Sequence, residues 1–306
     1  MNLSFALGIL YLALLVITPL GIKVSFDSGL LGHSERQRYI TWGLWLIGIC
    51  GAEAGFFWNL AYGSPAGTTT GNSIPAIAGA LCWNILTGWM FLVAAASLLR
   101  ESTRRFQLLP IAGGWMLISV GAYWFGSLLL NHHPLGFDRR FVILTAVHFH
   151  FAGFALPVMT GRLIKHTEFS QPKLSRRLTV LSPLMLMSIP FVGIGIAYSP
   201  LVEVFASLIL AGCCIVIAIS QIYGATHLPT APSWGLSLSS TSLILAAFLA
   251  AFYAIGEYSG NRILTIPVMI ASHGTLNAVG FSLLGLVCWA CLSAPAEKTR
   301  PENNTT

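Results

Sequence analysis

The sequence predicts an all-α protein: a polytopic bundle of about nine transmembrane helices, with the N-terminus outside and the C-terminus in the cytoplasm. Three observations carry this reading. Of the 306 residues, 55% are hydrophobic and 8% are charged, whereas a water-soluble domain carries about 25% charged residues. Apolar runs recur nine times, each close to the roughly 20 residues that a hydrocarbon layer of about 30 Å requires. Basic residues collect on alternate connections, as they do when one face of the protein stays in the cytoplasm. A mean hydropathy of +0.76 agrees. With 16 basic and 10 acidic side chains, the surface of a 32.9 kDa globule cannot be solvated. A soluble enzyme, a disordered chain and a nucleic-acid-binding domain are thereby excluded.

The nine runs are 3–22, 39–62, 74–99, 107–130, 140–164, 178–198, 200–224, 236–256 and 263–292. None alternates apolar and polar residues with period two, so they read as helices rather than barrel strands. The first run has no basic segment before it and no small-residue cleavage site after it, and is expected to be retained as a span. The second contains Gly51-Ala-Glu-Ala-Gly55, a small-xxx-small pattern that lets a neighbouring helix approach closely. Gly63-Ser64-Pro65-Ala66-Gly67 and Gly71-Asn72-Ser73 supply turn chemistry before the third. Only Tyr198-Ser199-Pro200 divides the sixth run from the seventh, and Pro183 and Pro190 are expected to kink the sixth. Pro229-Thr230-Ala231-Pro232 introduces the eighth. Residues 1–292 are expected to form one domain without internal repeats, and Ser293 to Thr306 a disordered cytoplasmic tail.

The basic residues set the orientation. With the N-terminus outside, the inner segments hold Lys23, Arg36, Arg38, Arg100, Arg104, Arg105, Arg162, Lys165, Lys173, Arg176, Arg177, Lys298 and Arg300, and the outer ones only Arg139, Arg140 and Arg262. The net charge of +6 is then a basic face against anionic inner-leaflet lipid, and the expected location is the inner (cytoplasmic) membrane. All six cysteines fall inside the runs, so no disulfide framework is implied. Cys288-Trp-Ala-Cys291 has metal or redox spacing but no second pair, and reads as two small apolar residues near a helix end.

An ionisable side chain at the centre of a membrane helix costs about 2.5–3.5 kcal/mol on insertion scales, so each needs a reason. The candidates are Glu53, His148, His150 and His273, with Asn84 and Asn277 as neutral companions. Glu53 lies about nine residues, or roughly 14 Å, from the outer end of its run. Asn84, the two histidines of the fifth run and His273 lie about eight to ten residues from theirs, again on the outer side. Four helices thus place costly groups in one layer, and no comparable layer is expected in the inner half. Glu203, Glu257, His132 and His133 would ring the outer mouth, and Tyr123 and Trp124 would line the pocket.

Helical geometry restricts the set. His148 and His150 are two residues apart and point to different sides, so one is expected to face the site and the other to bond a neighbouring helix. His273 and Asn277, four apart, share a face. A metal reading also exists: His148 or His150 with His273 and Glu53 would suit zinc or iron. H-x-H on a helix does not chelate, however, and H-E-x-x-H is absent, so no metal or other cofactor is expected.

Two segments, Thr145-Ala-Val-His-Phe-His-Phe-Ala-Gly-Phe-Ala-Leu-Pro157 and Ser272-His-Gly-Thr-Leu-Asn-Ala-Val-Gly-Phe281, resemble the YndJ-like family of bacterial integral membrane proteins. The resemblance implies His148, His150, His273 and Asn277 as the family's characteristic polar positions, and it supplies no mechanism. Glu53 rests on the depth argument alone.

The residues themselves suggest an intramembrane enzyme. A carboxyl group withdrawn from water tends to hold its proton, and a neighbouring imidazole can accept or relay one. Such a pair suits isomerisation, epoxide opening or cyclisation of a lipophilic small molecule arriving from the bilayer. The nucleophile, dinucleotide and phosphate-loop motifs are absent. The alternative is a proton-coupled transporter of a small solute or metal ion, which would use similar relays.

Overall fold

The structure, a computed structural model, describes residues 3–32, 34–62, 73–261 and 263–292. The Gly63–Gly67 turn, Arg262 and the segment from Ser293 onward lie outside the described residues. Among the described residues nine helices are long and apolar enough to cross a membrane. They are α1 Ser4–Asp27, α2 Glu35–Tyr62, α3 Ile74–Arg100, α4 Arg105–Leu129, α5 Arg139–Thr167, α6 Pro172–Tyr198, α7 Pro200–Ala225, α8 Thr230–Ser259 and α9 Ile266–Cys291. No strand occurs among them.

Local chemistry sets the helix ends. Ser73, Asp138 and Ser199 each cap a helix by accepting a backbone N–H through the side chain, opening α3, α5 and α7. Gly260 closes α8 in the left-handed conformation at φ 74°, which a side chain would strain. Tyr198-Ser199-Pro200 does divide two helices, because Pro200 begins α7 and cannot extend α6. The sixth helix runs through Pro183 and Pro190 as one element.

Sequential helices pack as neighbours, α2 on α3, α3 on α4, α6 on α7 and α7 on α8. The fifth helix is the most enclosed, with 67% of its apolar window buried, against 28% for α2 and α6. The latter pair therefore face lipid, and α5 forms the centre. Gly51 and Gly55 achieve the close packing their spacing suggests. A Cβ on Gly51 would lie 2.9 Å from that of Cys82, and one on Gly55 would lie 2.9 Å from the Pro75 carbonyl oxygen of α3.

Three helices widen into π turns, and these turns meet. They span Ala13–Ile17 in α1, Phe151–Ala155 in α5, and Ile270–Gly274 with Leu276–Leu283 in α9. In α1 and α5 the π turn ends two residues before a proline, Pro19 and Pro157. Proline lacks an N–H and its ring crowds the carbonyl four residues back, so a local widening relieves the clash. Thr18 helps by donating its hydroxyl to the Ala13 carbonyl at 2.9 Å. The turns in α9 have no such proline after them.

Candidate functional site

His148 and His150 of α5 immediately precede its π turn, and His273 and Asn277 lie within those of α9. His150 is fully buried. Its Nδ1 lies 2.7 Å from the Ala146 carbonyl, and its Nε2 accepts the indole N–H of Trp83 in α3 at 3.2 Å. An indole can only donate and a carbonyl can only accept, so Nδ1 carries the proton and the ring is neutral. The imidazole stacks on Trp83 with centroids 6.0 Å apart. Gly121 of α4 makes room, since a Cβ there would approach Nδ1 to 2.8 Å. Both ring nitrogens of His150 are thus used, Nδ1 on the backbone of its own helix and Nε2 in tying α5 to α3.

His148, two residues earlier, points elsewhere. Its Nε2 is shut off from solvent and meets no hydrogen-bond partner. The imidazole of His273, on α9, is near enough to act on it electrostatically. His273 in turn places Nδ1 2.8 Å from the Ala246 carbonyl of α8, and its Nε2 lies 3.0 Å from Asn277 Nδ2. The Asn277 amide also donates to the His273 carbonyl at 3.1 Å. His273 therefore satisfies both nitrogens as a neutral ring, and His148 retains one that nothing in the protein uses.

Glu53 stands apart from this group. It lines a crevice of about 220 Å³, open mouth included, with Leu10, Tyr11 and Leu14 of α1, Ala52 and Phe56 of α2, and Phe125 of α4. The crevice is narrow and holds no water-sized void. Its polar neighbour is Tyr11, whose hydroxyl feels the Glu53 charge and is itself buried without a partner. The Tyr11 ring is held edge-on against Phe56, with centroids 4.5 Å apart. Sequence reasoning missed Tyr11, because a tyrosine eight residues into an apolar run reads as packing. Among the described residues no group of three or more His, Cys, Asp and Glu side chains is gathered closely enough to hold a metal ion.

The other candidates divide. Asn84 donates to the carbonyls of Ala80 and Ala122 at 2.8 and 3.2 Å, tying α3 to α4. Tyr123 is 50% exposed on the outer surface of the bundle. Trp124 packs against Phe137 and Phe141, and it is the next residue, Phe125, that reaches the crevice. Glu203, in the first turn of α7, and Glu257, near the end of α8, are close enough to repel one another. His132 and His133 are exposed, and His133 bonds the Phe137 carbonyl at 2.9 Å.

One expectation requires correction. The end of the bundle opposite the histidine layer is not free of polar groups. Arg162, counted from sequence among the residues of an inner connection, lies inside α5 and is 4% exposed. Gln221 is equally buried in α7. Hydropathy averaged along the chain cannot register that the ends of α1 and α9 close over this arginine.

The sequence model of the YndJ-like protein family matches residues 8–281. The chain is also similar to a Bacillus subtilis (strain 168) protein named "Uncharacterized membrane protein YndJ", at 28% identity over 213 residues. That alignment covers 69% of this chain and 38% of the relative, so the chain spans well under two thirds of that protein's length. No solved structure matches it.

Proposed function

The chain belongs to the YndJ-like family of membrane proteins, and we propose that it is an intramembrane enzyme of the cytoplasmic membrane, performing acid–base chemistry on a lipophilic small molecule. One observation carries this reading: Nε2 of His148 is buried, unpartnered and beside the His273–Asn277 pair. An unanswered buried acceptor costs about 1–3 kcal/mol. Its retention makes sense where a substrate completes the bond. A neutral imidazole there accepts a proton. Glu53, with the Tyr11 hydroxyl next to it, supplies a donor on the far side of α1, which packs against α5.

A separated acid and base suit reactions that protonate a double bond or epoxide oxygen at one point and remove a proton at another. Isomerisation, epoxide opening and cyclisation of an isoprenoid- or polyketide-like molecule belong to this class. The substrate would come from the bilayer and would have to part α1, α2 and α4 at the crevice, which as it stands has no room for a water molecule. Side chains alone can supply this chemistry, without a cofactor.

A second reading, a proton-coupled transporter of a small solute or metal ion, is favoured by the buried polar groups in both halves of α5. Deletion followed by comparison of lipid extracts separates the two. For the enzyme, wild-type complementation restores a metabolite and His148→Gln, at equal protein level, does not. Extracts unchanged by deletion, together with solute uptake driven by a pH gradient in vesicles holding the protein, would replace the enzyme with the carrier.

A further inference from the structure

The inner ends of α1, α5 and α9 enclose a guanidinium that the protein leaves largely unanswered. Arg162 is 4% exposed and its Nε meets no partner. The ion pairs among the described residues are Lys23–Asp27 and Lys165–Glu168, and Arg162 takes part in neither. Asp27, the last residue of α1, is the acid whose charge reaches Arg162, yet Lys23 binds it at 2.5 Å. Cζ of Arg162 lies 5.4 Å from the ring centroid of Trp289 in α9.

That ring is a fixed platform. Trp289 is fully buried, and its indole N–H donates to Oε1 of Gln221 at 3.4 Å. Gln221 is held in its turn, donating to Ser240 Oγ at 3.0 Å and to the Leu236 carbonyl at 3.3 Å. His166, one turn beyond Arg162, meets the same indole with centroids 5.5 Å apart and bonds the Gly224 carbonyl. His227 lies close enough to act on His166. Two basic groups of α5 thus gather at one indole, and the neighbouring acid is already taken by a lysine.

Withdrawing a guanidinium from water is costly unless its charge and its five N–H donors are met. A π face meets part of that demand and offers no hydrogen-bond acceptor in the plane of the fork. An anion would meet the rest. The surroundings favour phosphate: its oxygens can take the guanidinium fork and the imidazole together. The site also lies where the three helices end, five residues before Thr167 and two before Cys291, at the level where lipid phosphates are abundant.

We propose that Arg162, Trp289 and His166 form a phosphate-binding site at this end of the bundle, occupied by a lipid headgroup phosphate or by a free phosphate ester. The inference is independent of the chemistry at His148. The test is thermal unfolding of the purified full chain in a maltoside detergent at constant ionic strength. The probes are inorganic phosphate and a short-chain phosphatidylglycerol.

The wild-type midpoint should rise with probe concentration and saturate, and Arg162→Met should abolish the shift. Arg162→Lys keeps the charge and loses the fork, so half-saturation should move to about tenfold higher concentration. Asp27→Asn removes a repelling acid and should move it severalfold lower. Response to the lipid alone supports a headgroup, and response to both probes supports a free phosphate group. No response in the wild type, or an equal one in Arg162→Met, overturns the proposal. Should Arg162→Met fail to fold, the lysine and Asp27→Asn variants decide. Asp27→Asn that unfolds more easily with no gain in affinity would make Asp27 the partner of Arg162 and remove the site.

Discussion

The indole N–H of Trp83 donates to Nε2 of His150 across the α3–α5 interface at 3.2 Å, and this one bond fixes where the imidazole proton resides. Nδ1 must then donate to the Ala146 carbonyl, at 2.7 Å. The bond also separates the roles of two histidines that are nearly adjacent in sequence.

Trp83→Phe keeps an aromatic ring over His150 and removes its hydrogen-bond donor. The buried Nε2 is then unanswered, and stability should fall by about 1–3 kcal/mol, read as a lower unfolding midpoint in detergent. An unchanged midpoint would show that the bond contributes nothing.

Leucine should have opposite effects at the two histidines. His148→Leu removes a buried acceptor that has no partner, so the protein should melt no lower than wild type while losing function. His150→Leu discards two satisfied nitrogens and should melt several degrees lower. If the order of the two midpoints were reversed, the structural and chemical assignments would exchange.

Glu53→Gln retains size and much of the hydrogen-bonding capacity but not the transferable proton. It should accumulate at near-normal levels, and activity should fall by about 10²–10⁴-fold, the usual contribution of a positioned acid or base. Glu53→Asp should show an intermediate loss. Tyr11→Phe deletes a hydroxyl without a partner and should leave stability unaffected while lowering activity. Full activity in a folded Glu53→Gln protein would make Glu53 a packing residue.

Gly79 and Gly88 lie on the same helix and should respond differently to alanine. A Cβ on Gly79 would sit 2.6 Å from the Gly51 carbonyl oxygen of α2, whereas one on Gly88 meets nothing within 4 Å. Gly79→Ala should cost about 1–3 kcal/mol through overpacking. Gly88→Ala should be neutral or stabilising by up to about 1 kcal/mol, as alanine favours the helix. Equal midpoints would argue that α2 and α3 are not in close contact.

Reporter fusions at positions 68 and 170 test the orientation. The basic residues predict an outer signal at 68 and an inner one at 170. The opposite pattern would exchange the two ends, placing the Arg162 site outside and the histidine layer near the cytoplasm.

The number and limits of the spans were legible in the sequence, since they depend on quantities that vary along one dimension. Length and apolar content are compared with a membrane of fixed thickness, and Pro200 or Gly260 stops a helix through its own backbone geometry. The glycine pair of α2 was readable for a similar reason, because a missing Cβ permits close approach wherever the partner lies. What each polar side chain meets could not be read this way. The angle between His148 and His150 follows from the helix, but which of them finds a bond depends on Trp83, 67 residues away in sequence. Tyr11 becomes the neighbour of Glu53 only because α1 and α2 both line the crevice. Arg162 looked like one more charge at a cytoplasmic helix end, and became a buried cation when α1 and α9 ended around it. Desolvation is a property of the surrounding volume, and that volume is set by the packing of helices distant in the chain.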